Sequence, residues 1–266
     1  MSETVPLAHQ ISGDDAAPAL VFLHGLYGAG NNWRGITPAF ITAYQVILPD
    51  LRSHGRSPHH PRMDYRDMAA DVVALLQAKG ITKAHVVGHS MGGKVAMAMA
   101  LTAPDRVAKL AVVDIAPIAY DHAHEHGGII QAMETMDLAS LRDRRDADAA
   151  LAKDIAEPVV RQFLLTNLEH SNEGWQWRLP LSILADQLGV LEGWPTMTAA
   201  AWQGNAYFMY GGASDYVEDE GRRAIKTFFP TAELECFNEA GHWVHAEARA
   251  DFTQRLSEFL AKDNKN

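Results

Sequence analysis

The sequence of 266 residues contains a single cysteine, Cys236, so the chain cannot form an internal disulfide and its fold does not depend on cross-links. It also lacks any apolar run near the roughly 20 residues that a membrane-spanning helix needs, although 47% of its residues are hydrophobic. The first ten residues, MSETVPLAHQ, contain neither a basic start nor an apolar stretch. We therefore expect a cytoplasmic protein with no secretory signal and no membrane span.

The sequence has fewer basic than acidic residues. Lysine and arginine number 23 against 33 aspartates and glutamates, which gives a formal net charge of -10. Such a balance repels the phosphate backbone of nucleic acids and anionic membrane surfaces. We therefore expect a small molecule as the partner and no nucleic acid, and the sequence sets no expectation for the oligomeric state.

Short runs rich in valine, isoleucine and leucine alternate with helical patterns along most of the chain. Residues 65–80 place apolar side chains at helical spacing on one face and end at a glycine. The alternation predicts an α/β fold, with a mostly parallel central sheet and helices on both faces. The strand-like runs lie at 19–25, 44–50, 83–90, 107–117, 205–212 and 232–243.

The alternation stops after Pro117 and resumes at Gly204, a gap far longer than an ordinary crossover connection. We interpret residues 118–203 as an inserted helical cap, or lid, and residues 1–117 and 204–266 as the two parts of one α/β core. The insertion contains helical patterns at 141–156 and 158–170, followed by the tryptophan-bearing stretch GWQWRLP at 174–180. Because it interrupts the core at the end of a strand, we expect it to rise over the catalytic edge of the sheet.

The stretch GHSMG at 88–92 has the G-x-S-x-G form of a nucleophile elbow. These five letters alone also fit an ordinary glycine-rich turn. The strand pattern before them and the helical pattern after them favour the elbow, which would place Ser90 at the carboxyl edge of the sheet, where open α/β folds bind ligands. Ser90 is therefore the candidate nucleophile.

A serine hydroxyl is a weak nucleophile that needs a base, and the base needs an acid to orient it. The candidate base is His242, because it alone among the histidines follows the last strand pattern and precedes the last helix. Two aspartates compete for the acid. Asp215 ends the strand before the histidine strand, and Asp114 ends the strand after the elbow helix. Both positions lie at the catalytic edge, so these patterns leave the choice open.

The negative charge that develops on a substrate carbonyl needs fixed hydrogen-bond donors, which form an oxyanion hole. The backbone N–H of Met91, at the start of the elbow helix, is one candidate donor. The N–H of Leu26, in the loop HGLYG at 24–28, is the other. Four further side chains are expected to line the substrate pocket, namely those of Tyr27, His89, Trp177 and Trp243.

The stretch YDHAHEHGG sets His122, His124 and His126 at alternate positions. On a strand the three imidazoles would share one face, as zinc ligands do, whereas on a helix only His122 and His126 would be neighbours. The stretch opens the insertion, where a solvated loop or helix is expected. We therefore predict no metal site here, and serine-based chemistry requires no metal and no other cofactor.

Five segments of the chain together resemble the α/β-hydrolase superfamily, and within it the small esterases of the YbfF and ABHD11 type. They are HGLYGAGNNW, LPDLRSHGRSP, GHSMGGKVAM, APDRVAKLAVVDIAP and AGHWVHAE. The resemblance extends from Leu20 to Leu260 and is weakest in the insertion. It implies an α/β-hydrolase fold with a helical cap and a Ser-His-Asp triad in which Ser90 is the nucleophile and His242 the base. The segment VVDIAP matches the place of the family's acid, so the resemblance prefers Asp114 to Asp215.

These observations together predict a serine hydrolase that cleaves carboxylic esters or thioesters of short to medium acyl chains through an acyl-enzyme intermediate. A serine rather than an aspartate at the elbow argues against dehalogenases and epoxide hydrolases of the superfamily. Two alternatives stay open. A cofactor-free perhydrolase or haloperoxidase would have the same triad, and a ligand-binding receptor would have the same fold with little turnover.

Overall fold

A computed structural model describes residues 3–121, 123–197 and 201–262. Its strands, in chain order, are His9–Ser12 (β1), Ala19–Leu23 (β2), Gln45–Pro49 (β3), Ala84–His89 (β4), Val107–Val113 (β5), Leu168–Ser171 (β6), Gly174–Trp177 (β7), Asn205–Gly211 (β8) and Glu233–Phe237 (β9). Seven of them form the main sheet, in the order β1-β3-β2-β4-β5-β8-β9. The pairs are parallel except that of β1 with β3, so the predicted mostly parallel sheet is confirmed.

The helices are Tyr65–Ala78 (α1), Met91–Thr102 (α2), Ala123–Glu134 (α3), Arg144–Leu151 (α4), Pro158–Leu165 (α5), Leu181–Glu192 (α6), Asp219–Phe228 (α7), Val244–Glu247 (α8) and Arg249–Ala261 (α9). Helices α3 to α6 belong to the insertion, and the described strands of the main sheet include none from residues 118–203. Within the described ranges, no helix combines the length and the apolar character that crossing a bilayer requires.

The insertion differs in one respect from the helical pattern expected of it. Residues 158–170 are helical only as far as Leu165, and β6 then pairs with β7 as an antiparallel hairpin in which Leu168 lies opposite Trp177. Aromatic residues favour such paired, half-buried strands, and the two tryptophans of GWQWRLP fall in β7. The expectation of a helix through residue 170 is therefore wrong.

The central strands are buried on both faces of the sheet, which explains why their sequences are continuous apolar runs. Alternate residues of β2 enter different cores, with Val21 and Leu23 in one and Leu20 and Phe22 in the other. Strand β1 shows no such run, because its residues alternate between half-buried and exposed positions. A four-residue edge strand of this kind leaves almost no signal in the sequence.

The register of the central strands determines which residues meet at the carboxyl edge. Leu23 pairs with Gly88, His89 with Val113 and Val113 with Met209. The loops that follow β2, β4, β5 and β8 therefore begin side by side. These loops contain HGLYG, Ser90, Asp114 and the SDYV stretch respectively. The strand order and register alone therefore bring the candidate residues to one edge of the sheet.

Candidate active site

Ser90 lies in the sharp turn between β4 and α2, with φ of 52° and ψ of -122°. A residue other than glycine in this left-handed region is strained, and such strain is concentrated at functional sites. The two flanking glycines make the turn possible. A Cβ at Gly88 would lie 2.2 Å from the carbonyl oxygen of Gly92, and one at Gly92 would lie 2.5 Å from the carbonyl oxygens of Leu23 and His24. The glycine spacing of the motif thus follows from close backbone approach.

The candidate base contacts one of the two competing aspartates directly. Nδ1 of His242 lies 2.7 Å from Oδ2 of Asp114. Asp114 is only 1% exposed and accepts two further hydrogen bonds, from the N–H of Gly211 at 2.9 Å and from the hydroxyl of Ser214 at 2.5 Å. The carboxylate is thereby fixed in orientation by three donors, and it holds the proton of His242 on Nδ1.

Asp215 has a different place. It is exposed and lines the same cavity as Ser90 and His242. The residue beside it, Ser214, donates to the carboxylate of Asp114. The sequence singled out Asp215 and missed Ser214, because a serine in a glycine-rich loop after a strand carries no distinguishing signal.

His242 has two further contacts, one to its imidazole ring and one to its backbone carbonyl. The ring of Tyr216 stacks on it, with centroids 4.1 Å apart and planes inclined by 23°. Nε2 of His89 donates to the carbonyl oxygen of His242 at 2.9 Å. Burial lowers the pKa of His89 well below its usual range, and the nearby His245 and His242 act in the same direction. His89 is therefore a neutral donor that supports the loop of the base.

The two candidate oxyanion donors lie beside Ser90. Leu26, Ser90 and Met91 line one small cavity of about 30 Å³. Met91 is the first residue of α2, where a backbone N–H has no acceptor within the helix. The HGLYG loop runs against the elbow, since a Cβ built on Gly25 would lie 3.3 Å from Cβ of Ser90. Both candidate donors therefore belong to residues that lie next to Ser90.

Ser90 and His242 also face a larger cavity, of about 260 Å³. Of the four predicted pocket residues, Tyr27, His89 and Trp243 line it. The fourth, Trp177, is not among its lining residues in the described part of the chain. Its indole N–H donates to the carbonyl oxygen of Met133 at 2.9 Å, within the insertion. The side chain of Trp177 in β7 is thus directed towards α3.

The insertion forms one wall of the larger cavity. Ile129 of α3 and Val160 and Phe163 of α5 all line it. The ring of Phe163 meets that of Trp243 edge to face, with centroids 6.1 Å apart. The insertion therefore reaches the candidate catalytic residues from above the sheet edge.

Lys94, four residues after Ser90 on the nucleophile helix, was not singled out by its sequence. Its buried ammonium donates to the carbonyl oxygens of Glu192 at 2.9 Å and Gly193 at 2.7 Å, and lies 4.7 Å from the ring centroid of Tyr120. Burial lowers its pKa to about 7, against the opposing effect of Glu192. The last carbonyl groups of a helix have no partner within the helix. Lys94 therefore caps the carboxyl end of α6 and links the insertion to α2.

The histidine-rich stretch opens α3. His122 lies outside the described residues, as does the side chain of His124. His126 has its Nε2 3.6 Å from Oε1 of Glu192. In residues 3–121, 123–197 and 201–262, no cluster of three or more histidine, cysteine, aspartate or glutamate side chains is arranged to hold a metal ion.

The model of a family described as having the alpha/beta hydrolase fold matches residues 18–248. The sn-1-specific diacylglycerol lipase ABHD11 of Mus musculus is 38% identical over 264 residues, which cover 97% of this chain and 86% of that protein. Esterase YbfF of Escherichia coli is 37% identical over 228 residues, covering 86% and 87% respectively. Among solved structures, a marine microorganism esterase is 34% identical with a TM-score of 0.93, covering 96% of this chain and all of that one.

Proposed function

The chain belongs to the α/β-hydrolase family, among its esterases and lipases, and from that premise we propose that it is a serine hydrolase that cleaves carboxylic esters through an acyl-enzyme intermediate. The observation that carries the proposal is the hydrogen bond between Asp114 and His242 at the sheet edge where the elbow presents Ser90. A nucleophile, a base and an acid placed in this way are the parts that acyl transfer requires.

The chemistry assigned to each residue follows from its position. His242 takes the proton of the Ser90 hydroxyl through Nε2 as the oxygen attacks the ester carbonyl, while Asp114 stabilises the imidazolium that forms. The backbone N–H groups of Leu26 and Met91 receive the negative charge of the tetrahedral intermediate. His242 then gives its proton to the departing alcohol, which leaves the acyl group on Ser90. A water molecule, deprotonated by His242, releases the acid by the same route.

The substrate class rests on the relatives and on the cavity. Carboxylic esters are the class named for the relatives, one being an esterase and the other a diacylglycerol lipase. The cavity of about 260 Å³ is slightly smaller than small-molecule sites typically are, at roughly 300 to 1,000 Å³. We therefore assign short to medium acyl chains, carried on alcohols or on thiols.

We assign residues 118–203 the role of a cap that controls access. Three observations support this: the insertion follows β5 at the catalytic edge, its residues Val160 and Phe163 line the cavity, and Lys94 joins it to the nucleophile helix. Such an element sets which acyl chains enter and excludes water during the reaction.

The experiment is a panel of p-nitrophenyl esters and acyl thioesters of increasing chain length, with Ser90→Ala as the control. We expect hydrolysis of short and medium chains and loss of at least about 100-fold in Ser90→Ala with the fold retained. Fluorophosphonate labelling of Ser90 separates the proposal from a binding protein, which needs no activated serine. Peroxide-dependent oxidation that exceeds ester hydrolysis would instead assign a perhydrolase.

A further inference from the structure

The loop that presents Leu26 is a strained turn. The N–H of Gly28 donates to the carbonyl oxygen of Gly25 at 3.0 Å, which closes a four-residue turn. Tyr27 is its third residue and has φ of 63°, whereas Leu26 is not among the described residues with positive φ. This is the pattern of a type II turn, whose third position normally requires glycine or asparagine. A tyrosine stays there only if its surroundings hold it.

One group that holds the turn is the imidazole of His54. Its Nε2 accepts a hydrogen bond from the N–H of Tyr27 at 3.2 Å, and its Nδ1 donates to the carbonyl oxygen of Arg52 at 3.0 Å. A backbone N–H only donates and a carbonyl only accepts, so His54 is neutral with its proton on Nδ1. The ring is 1% exposed, and burial lowers its pKa to about 3, which agrees with this state.

The second group comes from the insertion. The side-chain amide of Asn167, between α5 and β6, donates to the carbonyl oxygen of Tyr27 at 2.7 Å. Asn167 is 1% exposed and lies 140 residues from Tyr27 in the chain. Both backbone groups of the strained residue are therefore satisfied by buried side chains, one from the core and one from the insertion.

We propose that His54 and Asn167 are positioning residues that hold Tyr27 in its left-handed conformation and thereby fix the turn from which the N–H of Leu26, in the preceding Gly25–Leu26 peptide, reaches the oxyanion beside Ser90. Rotation of the Leu26–Tyr27 peptide would relieve the strain, but it would point the Leu26 carbonyl oxygen at the lone pair of His54 Nε2. Asn167 fixes the next peptide, Tyr27–Gly28, because the Tyr27 carbonyl oxygen accepts its amide hydrogen bond. The inference rests on the proposed function, and it makes the cap a structural part of the oxyanion hole as well as a cover.

The test of His54 uses two amide variants that each retain one of its hydrogen bonds. In His54→Gln the side-chain carbonyl reaches the place of Nε2 and still accepts from Tyr27, whereas in His54→Asn the amide nitrogen replaces Nδ1 and the acceptor is lost. An oxyanion donor acts in the transition state, so we expect kcat to fall about 30-fold in His54→Asn with KM within about 3-fold, and His54→Gln to stay within about 5-fold of the wild type. Equal losses in the two variants, or a change mainly in KM, would overturn the role of His54.

Asn167→Asp tests the insertion, because it replaces the amide donor by a carboxylate oxygen that repels the Tyr27 carbonyl. The matched control is Thr166→Ala, which removes the neighbouring hydroxyl and its hydrogen bond to Phe163 but no contact with the turn. We expect about a 10-fold loss of kcat in Asn167→Asp and less than a 2-fold change in the control. Affinity for a trifluoromethyl ketone, which forms an oxyanion on Ser90, should fall in proportion to kcat/KM, and an unchanged affinity would overturn the proposal.

Hydrogen exchange separates this inference from the proposed function, because it reports on the hydrogen bond of the Tyr27 amide without any ester turnover. The amide of Tyr27 should exchange at least about 10-fold faster in Asn167→Asp and His54→Asn than in the wild type and in His54→Gln. Equal exchange in all four proteins would refute the inference. A wild type that exchanges as expected but hydrolyses no ester would refute the proposed function alone.

Discussion

Oδ2 of Asp114 and Nδ1 of His242 lie 2.7 Å apart although the residues are separated by 128 positions in the chain. Asp114 directly follows β5 and His242 follows β9, and β8 runs between these two strands. The end of β8 contributes the N–H of Gly211 to the carboxylate, and the loop after β8 contributes the hydroxyl of Ser214. Residues at the carboxyl ends of three neighbouring strands, rather than one element, therefore hold the Asp114–His242 pair.

The first prediction concerns the choice between the two aspartates. Asp114→Asn removes the charge that stabilises the imidazolium and allows the wrong tautomer of His242, so we expect a loss of at least about 1,000-fold in kcat. Asp215→Asn changes an exposed residue that lines the cavity, and we expect a loss of no more than about 30-fold. Steady-state kinetics of both folded variants decide the matter, and the reverse ranking would assign the acid to Asp215.

The second prediction concerns Ser214. Its hydroxyl donates to the oxygen of Asp114 that also contacts His242, so Ser214→Ala leaves that carboxylate with one donor fewer. We expect about a 10-fold loss of kcat, little change in KM and a folded protein, and Ser214→Thr should restore part of the loss because it keeps a hydroxyl. Wild-type kcat in Ser214→Ala would show that the other two hydrogen bonds of Asp114 suffice.

The sequence predicts the residues whose role depends on local geometry. Ser90 is recognisable because an elbow requires glycine at fixed positions around it, and His242 because it follows the last strand pattern. The fold followed from apolar runs that β2 and β5 need on both faces. What these patterns do not settle is which of two aspartates at neighbouring strand ends turns its carboxylate towards the base, because that depends on donors from a third loop.

Contacts between distant segments explain the remaining differences. The hydrogen bond from Asn167 to Tyr27 joins the insertion to a loop of the core, and no spacing in the sequence connects the two. The same is true of Lys94, whose partners are carbonyl groups at the end of α6. Trp177 was predicted as a residue that could supply an apolar acyl pocket, but in the hairpin of β6 and β7 its indole N–H donates to Met133.

The third prediction uses this difference between two aromatic residues of the insertion. Phe163 lines the cavity and contacts Trp243, whereas Trp177 donates to Met133 inside the insertion. Phe163→Ala should enlarge the cavity and shift the preferred acyl chain to greater length, with the change mainly in KM. Trp177→Ala should lower the melting temperature and leave the order of preference unchanged. The ester panel and a thermal melt of each variant provide the measurements, and a shift of preference in Trp177→Ala would contradict the assignment.

The last prediction concerns the free energy of unfolding at acidic pH. Four buried histidines of the core should lower it. Burial lowers the pKa of His24 to about 4 and those of His54 and His245 to about 3, and it lowers the pKa of His89 well below the usual range.

In the unfolded chain the same residues take up protons near pH 6.5. Between about pH 6.5 and 4 the unfolded state therefore binds more protons than the folded state, so the free energy of unfolding falls as the pH falls, by about 1.4 kcal/mol per pH unit for each histidine. Above about pH 7 both states are neutral at these residues and the dependence vanishes. Urea denaturation across this pH range measures the slope.

His245 offers a variant that tests this explanation. In the described part of the chain its Nδ1 has no hydrogen-bond partner, and its ring lies against Trp33, so we expect His245→Phe to fold. This variant should lower the number of protons taken up on unfolding by about one near pH 5. An unchanged slope in His245→Phe would mean that this imidazole is protonated in the folded state and that burial does not keep it neutral.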